Sequence, residues 1–289
     1  MKKTAIVIPI YNRLEITKSG LLNIHLALLN VKENTEFSFD IIIVDDGSDD
    51  GSAEWIQENY PTVKIFKGDG NLWWTGSVDL GARVAVNELN YDYVLLWNDD
   101  TICNANYFEE LIKILNQSFY NNKILVSKVL WQDDVNRLFN FGCYFDPKNG
   151  KKILNGSNDF DSEKYNKILK VDWSGGMGTL IPKEILKAID FFDPKNFPQY
   201  HGDSDMFLRA KKNGFDTYAI PTLKVYNNRD TSGIKKIRSF KDLKNYFTSN
   251  RSNYNFIQNV FFCKRHTVGA GAWINFYKYY LKAFLISLK

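Results

Sequence analysis

Ile41-Ile42-Ile43-Val44-Asp45-Asp46-Gly47-Ser48 decides the fold: an apolar run drives straight into two carboxylates and a turn. Tyr93-Val94-Leu95-Leu96-Trp97-Asn98-Asp99-Asp100 repeats the arrangement further on. A short run that is apolar at every position reads as a strand buried on both faces of a parallel sheet. Ligands of open α/β sheets bind beyond the carboxyl ends of the strands, so two acidic strand ends can meet in one crevice. Adjacent carboxylates repel and need something positive beside them. A hard divalent cation bridging a substrate's phosphates would serve. One Asp-Asp pair alone reads as a solvated turn; two pairs in the same strand-end setting favour the crevice.

Outward from these runs, strand and helix patterns alternate. Residues 4–10 read as a strand, 14–29 as a helix carrying Leu14, Leu21, Leu22, Leu26 and Leu29, and 40–44 as the second strand. Ser48 or Asp49 is the expected N-cap of a helix at 52–59. A strand at 63–66, a helix at 77–87, a strand at 93–97 and a helix at 106–117 follow. This order predicts an α/β fold with a doubly wound, mostly parallel sheet flanked by helices and right-handed crossovers. Beyond residue 120 the pattern loosens. Residues 124–129 and 171–181 read as strands, and 183–188 and 203–213 as helices. Residues 149–170 are polar and read as an exposed loop. Residues 239–289 read as a helical C-terminal extension rich in aromatics.

Composition sets the broad class. The 289 residues are 44% hydrophobic and 15% aromatic, enough for a substantial core and for ring stacking or contact with a membrane surface. Net charge is +4, unevenly spread. From Thr231 to Lys289 there are eleven Lys or Arg and one acid, Asp242, a net of +10 that leaves −6 on residues 1–230. A basic tail on an acidic body suggests an anionic partner for the tail. Cys103, Cys143 and Cys263 form no zinc, redox or disulfide pattern, which points to a reducing cytoplasm. No h-region suits a signal peptide, and no apolar stretch is long enough to span a membrane.

The usual phosphate loops are absent. There is no Gly-x4-Gly-Lys-Ser/Thr, and the place of a dinucleotide-binding glycine motif is taken by Pro9-Ile10-Tyr11-Asn12-Arg13. Instead, Tyr11 could cover a base, Arg13 pair with a phosphate and Asp46 accept from a base N–H; loop decoration is the competing reading for Tyr11 and Arg13. In Gly68-Asp69-Gly70-Asn71-Leu72-Trp73-Trp74-Thr75-Gly76-Ser77, glycines permit close backbone approach and Ser77 is expected to open a helix whose amides favour anions. Trp73 and Trp74 either shape a sugar pocket or belong to the core. In Asn98-Asp99-Asp100, Asp100 is the metal-ligand candidate and Asp99 lies near a ribose or a metal-bound water. Mg²⁺ or Mn²⁺ suits such oxygen donors and a pyrophosphate. Asp203 and Asp205 stand at the start of a helix, where acids are favourable dipole partners; alternatively, Asp203 is a general base for an acceptor hydroxyl. Trp173-Ser174-Gly175-Gly176-Met177-Gly178 is a turn that would let donor and acceptor approach the backbone.

Taken in order, these segments resemble the family 2 inverting glycosyltransferases of the GT-A fold, nearest the bacterial rhamnosyltransferase-like members that build surface polysaccharides. Ile8 to Arg13, Val44 to Ser52, Gly70 to Ser77, Asn98 to Asp100, Gly175 to Pro182 and Gly202 to Arg209 carry the resemblance, which spans residues 4–230. It implies a GT-A domain over 1–230, with a nucleotide-sugar half at 1–105 and an acceptor half at 106–230, followed by a basic aromatic tail at 231–289. It places Asp46 at the nucleobase, Asp100 at the metal and Asp203 as the catalytic base, with Pro9, Tyr11, Arg13, Asn71, Trp74 and Asp99 around the donor. Two positions depart from the family. Gly202 replaces the usual acid before the base, and Asn227 stands where a histidine metal ligand is common, able to coordinate only through its carbonyl oxygen.

The implied donor is a nucleotide sugar, dTDP-rhamnose by the Trp73-Trp74 loop or a UDP-sugar. The implied acceptor is a saccharide or a lipid-linked saccharide, and the implied place of work is the cytoplasm at the inner face of the plasma membrane. Trp273, Phe276, Tyr277, Tyr280 and Phe284 recur at helical spacing with Lys278 and Lys282 beside them. That pattern suits a helix lying on an anionic bilayer, or one packed on the body or in a dimer interface. A non-catalytic carbohydrate-binding or scaffold protein and a sugar nucleotidyltransferase are the other readings. The latter lacks its glycine-rich basic loop after the first strand. No nucleic-acid motif is present.

Overall fold

The computed structural model describes residues 1–229 and 240–287. Its central strand, β1 (Lys2–Ile10), shows how the layers arise. Ala5 and Val7 belong to one core, Ile6, Ile8 and Ile10 to another. Side chains of a strand alternate between faces, so an unbroken apolar run must be covered on both sides. β2 (Phe37–Asp45) repeats this with Ile42 on one face and Ile41 and Ile43 on the other. β4 (Tyr93–Leu96) does so with Val94 and Leu96 against Tyr93 and Leu95. Helices α1 (Leu14–Leu29), α2 (Ser52–Asn59) and α4 (Tyr107–Leu115) cover one face through Leu21, Ile24, Ile56 and Leu111. The other face is covered by α3 (Trp73–Arg83), α5 (Lys183–Ala188) and α6 (Gly202–Lys212) through Val78, Ile185, Met206 and Phe207.

The remaining strands are β3 (Lys64–Lys67), β5 (Ile102–Cys103), β6 (Ile124–Trp131), β7 (Leu138–Asn140), β8 (Cys143–Asp146), β9 (Lys151–Leu154), β10 (Leu169–Val171), β11 (Thr179–Pro182) and β12 (Thr217–Asn227). Ten of the strands form one sheet with the path β10-β12-β6-β11-β4-β1-β2-β3, while β8 and β9 pair as a separate hairpin. β3, β2, β1 and β4 run parallel, and β11 is antiparallel to β4 and β6. The fold is thus a mostly parallel α/β sheet flanked by helices, as the strand–helix alternation predicts, and its order is that of the GT-A type that the resemblance implies. The chain runs from β1 outward to β3, then crosses back to β4 on the other side of β1. Strand order reverses there, so the crevice opens beyond the ends of β1 and β4.

Four local expectations need correction. α3 starts at Trp73 rather than Ser77, because Asp46 from the end of β2 accepts from the Gly70, Leu72 and Trp73 amides. That cap comes from a distant segment and leaves no local signal. α2 follows Gly51 (φ 83°) rather than a Ser48 or Asp49 cap, and Asp50 accepts from the Ser52 amide and hydroxyl. Residues 149–170 are not one exposed loop: β9 pairs with β8, and a 3₁₀ turn buries Tyr165. Residues 171–181 divide between β10 and β11 at the glycine turn.

The C-terminal extension is helical: α7 (Phe240–Thr248), α8 (Phe256–His266) and α9 (Ala270–Ser287). α8 is capped by Asn255, which accepts from the Gln258 amide, and it sends Phe262 into the core beside α6. The expected single aromatic face of α9 divides. Trp273, Phe276 and Tyr280 form a run of ring contacts that reaches Phe256 of α8 and Phe247 of α7, while Tyr277 and Phe284 are exposed. Among the described residues no helix is long and apolar enough to cross a membrane.

Candidate active site

Arg13 marks the crevice. Its guanidinium bridges Asp99 (2.8 Å) and Asp100 (3.0 Å), joining the turn between β1 and α1 to the turn after β4 at the point where strand order reverses. The neighbouring turn is braced: the Asn12 amide donates to Ser48 Oγ and its side-chain oxygen accepts from the Asp49 amide. Asp50 accepts from the Leu14 amide at the start of α1. Tyr11 is left 48% exposed at the mouth, and Pro9 lies one step below, paired in register with Val44.

The two aspartate pairs have different neutralisers. Asp45 accepts from the Ser48 amide, and Asp46, buried, has its three amide donors. Gly68 makes room for that carboxylate, since a Cβ there would lie 2.5 Å from Asp46 Oδ1. Asp46 therefore holds the loop carrying Trp73 and Trp74. The amides of Trp74 and Thr75 donate to Gln199 and to the Pro198 carbonyl. The start of α3 is consequently filled by protein acceptors, and the expected anion site at Ser77 lies inside the helix. Asn71, exposed beside this loop, donates from its backbone amide to Asp69 Oδ1.

Asp99 and Asp100 rely on Arg13. Burial pushes the Asp99 carboxyl up to about 7, against the pull of Arg13 and with a further push from Asp100. The backbone of Asp99 presses on α1 at Gly20, where any Cβ would fall 2.2 Å from the Asp99 carbonyl oxygen. Asp99 Oδ2 is buried and has no hydrogen-bond partner among the described residues. Gln132 Nε2 donates to the Asp100 carbonyl and, more weakly, to that of Tyr226, and the Gln132 amide donates to the Asn227 carbonyl. Asn227 at the end of β12 is thereby brought beside Asp100. Among the described residues no group of three His, Cys, Asp or Glu could hold a metal ion. The donors present are oxygens: one orphaned carboxylate oxygen, a second carboxylate and an amide. That set fits a Mg²⁺ or Mn²⁺ ion that takes its remaining ligands from a substrate's phosphates.

Beside this rim lies a cleft of about 230 Å³, lined by Trp74, Asn98, Asn140, Trp173, Gln199 and Asp203 among others. Trp74 donates from Nε1 to Asn98 and meets Phe192 edge-on. Its ring lies over Gly176, where a Cβ would approach to 2.2 Å. The close approach that the glycine turn permits is therefore made by the protein's own indole. Gly202 likewise admits Thr75 of α3 to the start of α6. The structure thus gathers Trp74, Asn98 and Asp203 in one cleft, with Asp99, Asp100 and Arg13 on its flank.

Asp203 and Asp205, two residues apart on α6, have separate fates. Asp205 is fully buried between Arg209, Arg265 and His266 at 2.8–2.9 Å. Burial opposes its ionisation, yet His266, Arg209 and Arg265 hold the carboxyl down to about 2. It ties α8 to α6. Asp203 keeps Oδ1 on the Ser204 amide at 2.6 Å and lines the cleft. Burial raises its pKa, and Lys152 is the cation that lowers it.

Lys152 and His201 escaped the sequence reading. Lys152 lies in the stretch expected to be loop, and no local motif marks it. Its Nζ is 2.6 Å from His201 Nδ1 and 2.6 Å from Ser204 Oγ, over the faces of Phe262 and Trp173. Burial pulls the ammonium down to about 8, against Asp203, Cys143 and Asp205. His201, at φ 68°, stacks on Phe262, and burial next to Lys152 keeps it far below its ordinary pKa and neutral.

Comparison with known proteins agrees with this architecture. Residues 5–139 match the model of the family described as Glycosyl transferase family 2. No curated protein matches the chain in sequence. Among solved structures, GalNAc-T7 with UDP, GalNAc and Mn²⁺ is similar at TM-score 0.59 and 13% identity, over 84% of this chain and 47% of that one. TarS 1-349 of S. aureus in complex with UDP-GlcNAc is similar at TM-score 0.53 and 13% identity, over 80% and 59%. The mannosyltransferase PcManGT from Pyrobaculum calidifontis, in complex with GDP-Man and Mn²⁺, follows at 0.51 and 13%, over 78% and 56%. The chain thus spans about half the length of these structures.

Proposed function

We propose that this chain is a family 2 glycosyltransferase that moves a sugar, with inversion, from a nucleoside-diphosphate sugar to a hydroxyl of a saccharide or lipid-linked acceptor. The observation that carries the reading is Asp203: a carboxylate in a cleft walled by indoles and amide side chains, beside the Arg13–Asp99–Asp100 rim. Indole faces and amides suit a sugar's C–H faces and hydroxyls. The family match and the nucleotide sugars named with the similar structures support the donor class.

In this reading the diphosphate lies at the ends of β1 and β4. Asp100, Asp99 and Asn227 would hold a Mg²⁺ or Mn²⁺ ion, which when bound offsets the charge of the departing nucleoside diphosphate. Arg13 exchanges Asp99 and Asp100 for a phosphate oxygen. Tyr11 covers the base, Asp46 offers it a remaining lone pair, and Pro9 and Asn71 edge the pocket. Trp74, fixed by Asn98, holds the sugar ring. Asp203 takes the acceptor proton through the oxygen facing the cleft as the hydroxyl attacks the anomeric carbon from the face opposite the leaving group. The 1–230 body does this chemistry, with residues 1–105 handling donor and 106–230 acceptor. The 231–289 tail places it at an anionic membrane surface on the cytoplasmic side, in the service of surface polysaccharide assembly.

A thermal-shift panel of UDP-, GDP- and dTDP-sugars with Mn²⁺, dTDP-rhamnose included, tests the donor class. Stabilisation by one sugar nucleotide, with slow release of its nucleoside diphosphate, is the expected result. Binding without any release would favour a carbohydrate-binding scaffold. Pyrophosphate release from a sugar phosphate and a nucleoside triphosphate would favour a nucleotidyltransferase.

A further inference from the structure

Two lysines reach inward in different ways, Lys128 fully buried and Lys152 half-buried. Lys128 meets Asp161 directly at 2.7 Å, lies over Phe141, and is neutralised where it stands. Lys152 has no carboxylate within ion-pair distance among the described residues. Its nitrogen touches a ring nitrogen, a hydroxyl and two aromatic faces. An ammonium drawn partly out of water with no carboxylate in contact is costly, and the nearest carboxylates offset it from beyond contact distance. The surroundings leave one candidate. Cys143 on β8 is neutral, its thiol pushed up to about 12 by burial. Tyr200 and His201, in the turn before α6, are neutral too, since burial raises the phenol and depresses the imidazole. Asp205 is already matched by Arg209, Arg265 and His266. Asp203 remains.

The connection has a definite geometry. An ammonium only donates, so His201 Nδ1 must accept, which leaves Nε2–H to donate to Asn259 Oδ1 at 3.2 Å. The imidazole is thereby fixed as a neutral strut between β9 and α8. Lys152 also donates to Ser204 Oγ, and the Ser204 amide donates to Asp203 Oδ1. One residue thus links the ammonium to one oxygen of Asp203.

We propose that Lys152 is the positioning residue of the Asp203 base: clamped by His201 and Ser204, its ammonium keeps that carboxylate ionised and turned toward the acceptor side of the cleft. The inference rests on the reading of Asp203 as the base and adds the group that makes a half-buried carboxylate usable near neutral pH. An opposite charge within about 4–6 Å lowers a carboxyl pKa by roughly 1–3 units. Removing it should raise the midpoint by about a unit or more.

The test needs no substrate. The full chain is labelled with carboxyl-¹³C aspartate and side-chain ¹⁵N lysine, and each resonance is assigned by its loss in Asp203→Asn or Lys152→Met. The Asp203 midpoint should rise by about one unit or more in Lys152→Met. Coupling is reciprocal, so Asp203→Asn should lower the Lys152 midpoint by a similar amount. Should Lys152→Met fail to fold, the Asp203→Asn arm decides alone. A Lys152 midpoint unmoved in Asp203→Asn, or an Asp203 midpoint unmoved in a folded Lys152→Met, overturns the proposal. Coupled midpoints with full turnover in Asp203→Asn would instead dismiss the base assignment beneath it.

Discussion

The two rims of the cleft are built on different principles. The rim proposed to hold the donor, at the ends of β1, β2 and β4, is made of short contiguous segments in which acids follow apolar strands. The rim proposed for the acceptor is assembled from β9, the start of α6 with the turn before it, and α8, whose residues lie far apart in sequence and meet around Lys152, His201 and Asp203. Strand ends in a parallel sheet must share one edge, so a contiguous motif there predicts its own location. A cluster joined through tertiary packing has no such guarantee. The donor rim also neutralises its charge locally, Asp46 by amides and Asp99 and Asp100 by Arg13, whereas the acceptor rim holds an ammonium and a carboxylate apart.

The sharpest break between the rims is functional. Asp203→Asn should lower turnover by ~10²–10⁴-fold with donor affinity unchanged, as removal of a general base does. Asp100→Ala should do the reverse, weakening Mn²⁺-dependent donor binding in titration calorimetry. If both variants lost donor affinity alike, the division into two rims would be wrong. If Asp203→Asn kept full turnover, the base lies elsewhere.

Asp205 sharpens the contrast within α6, because it has the same chemistry two residues away and serves packing. Its replacement by Asn leaves Arg265 and His266 facing a neutral group, and a broken buried ion pair costs ~3–5 kcal/mol. A large fall in melting temperature is expected, with residual turnover per folded molecule near normal. Acid should reveal the same carboxylate. Its folded pKa, about 2, lies below the ordinary 3.8, so its stabilisation is complete above that ordinary value and is lost as pH falls through about 2. Urea midpoints between pH 5 and 2 should therefore fall more steeply in the parent than in Asp205→Asn.

What was legible in the sequence follows the same divide. The alternation of Ile41 to Val44 and Tyr93 to Leu96 between two cores is a period-two pattern that anyone can read, and it sets the sheet. Asp99, Asp100 and Arg13 were legible because each sits next to a strand end. The start of α3 at Trp73 was not, since its cap arrives from Asp46 on β2. Lys152 was hidden by composition: a polar stretch looks solvated unless aromatic residues such as Trp173 and Phe262 fold over it from elsewhere. Asp205 resembled a dipole partner because its partners Arg265 and His266 come from α8, some sixty residues on.

The seam between the rims is a smaller lever. Gly176 and Gly202 let the glycine turn before β11 and the start of α6 approach Trp74 and Thr75 of α3. In Gly176→Ala the new methyl meets an indole fixed by Asn98 and Phe192, so the ring must shift rather than rotate away. Overpacking of this kind costs ~1–3 kcal/mol. Donor binding should weaken as Trp74 moves, and an unshifted Trp74 fluorescence spectrum with unchanged affinity would show that the ring does not shape the pocket.

The smallest effect on stability is expected farthest from both rims, on α9. Ile274, Tyr277, Leu281 and Leu285 stand 52–64% exposed at helical spacing, with Lys278 and Lys282, also exposed, alongside. Trp273, Phe276 and Tyr280, on the neighbouring strip of the same helix, are only half-exposed and meet other aromatic rings, and Tyr277 touches Phe276 edge-on. Exposed positions usually tolerate change within about 0.5 kcal/mol. A Tyr277→Ser/Leu281→Ser double variant should melt with the parent and keep donor affinity, yet lose sedimentation with phosphatidylserine vesicles at low salt. An apolar stripe that anchors a helix at an anionic bilayer contributes by burial, and the lysines contribute by attraction that salt screens. Equal vesicle binding by parent and variant would assign the stripe to some other contact, and a large loss of melting temperature would place it in the core with Trp273.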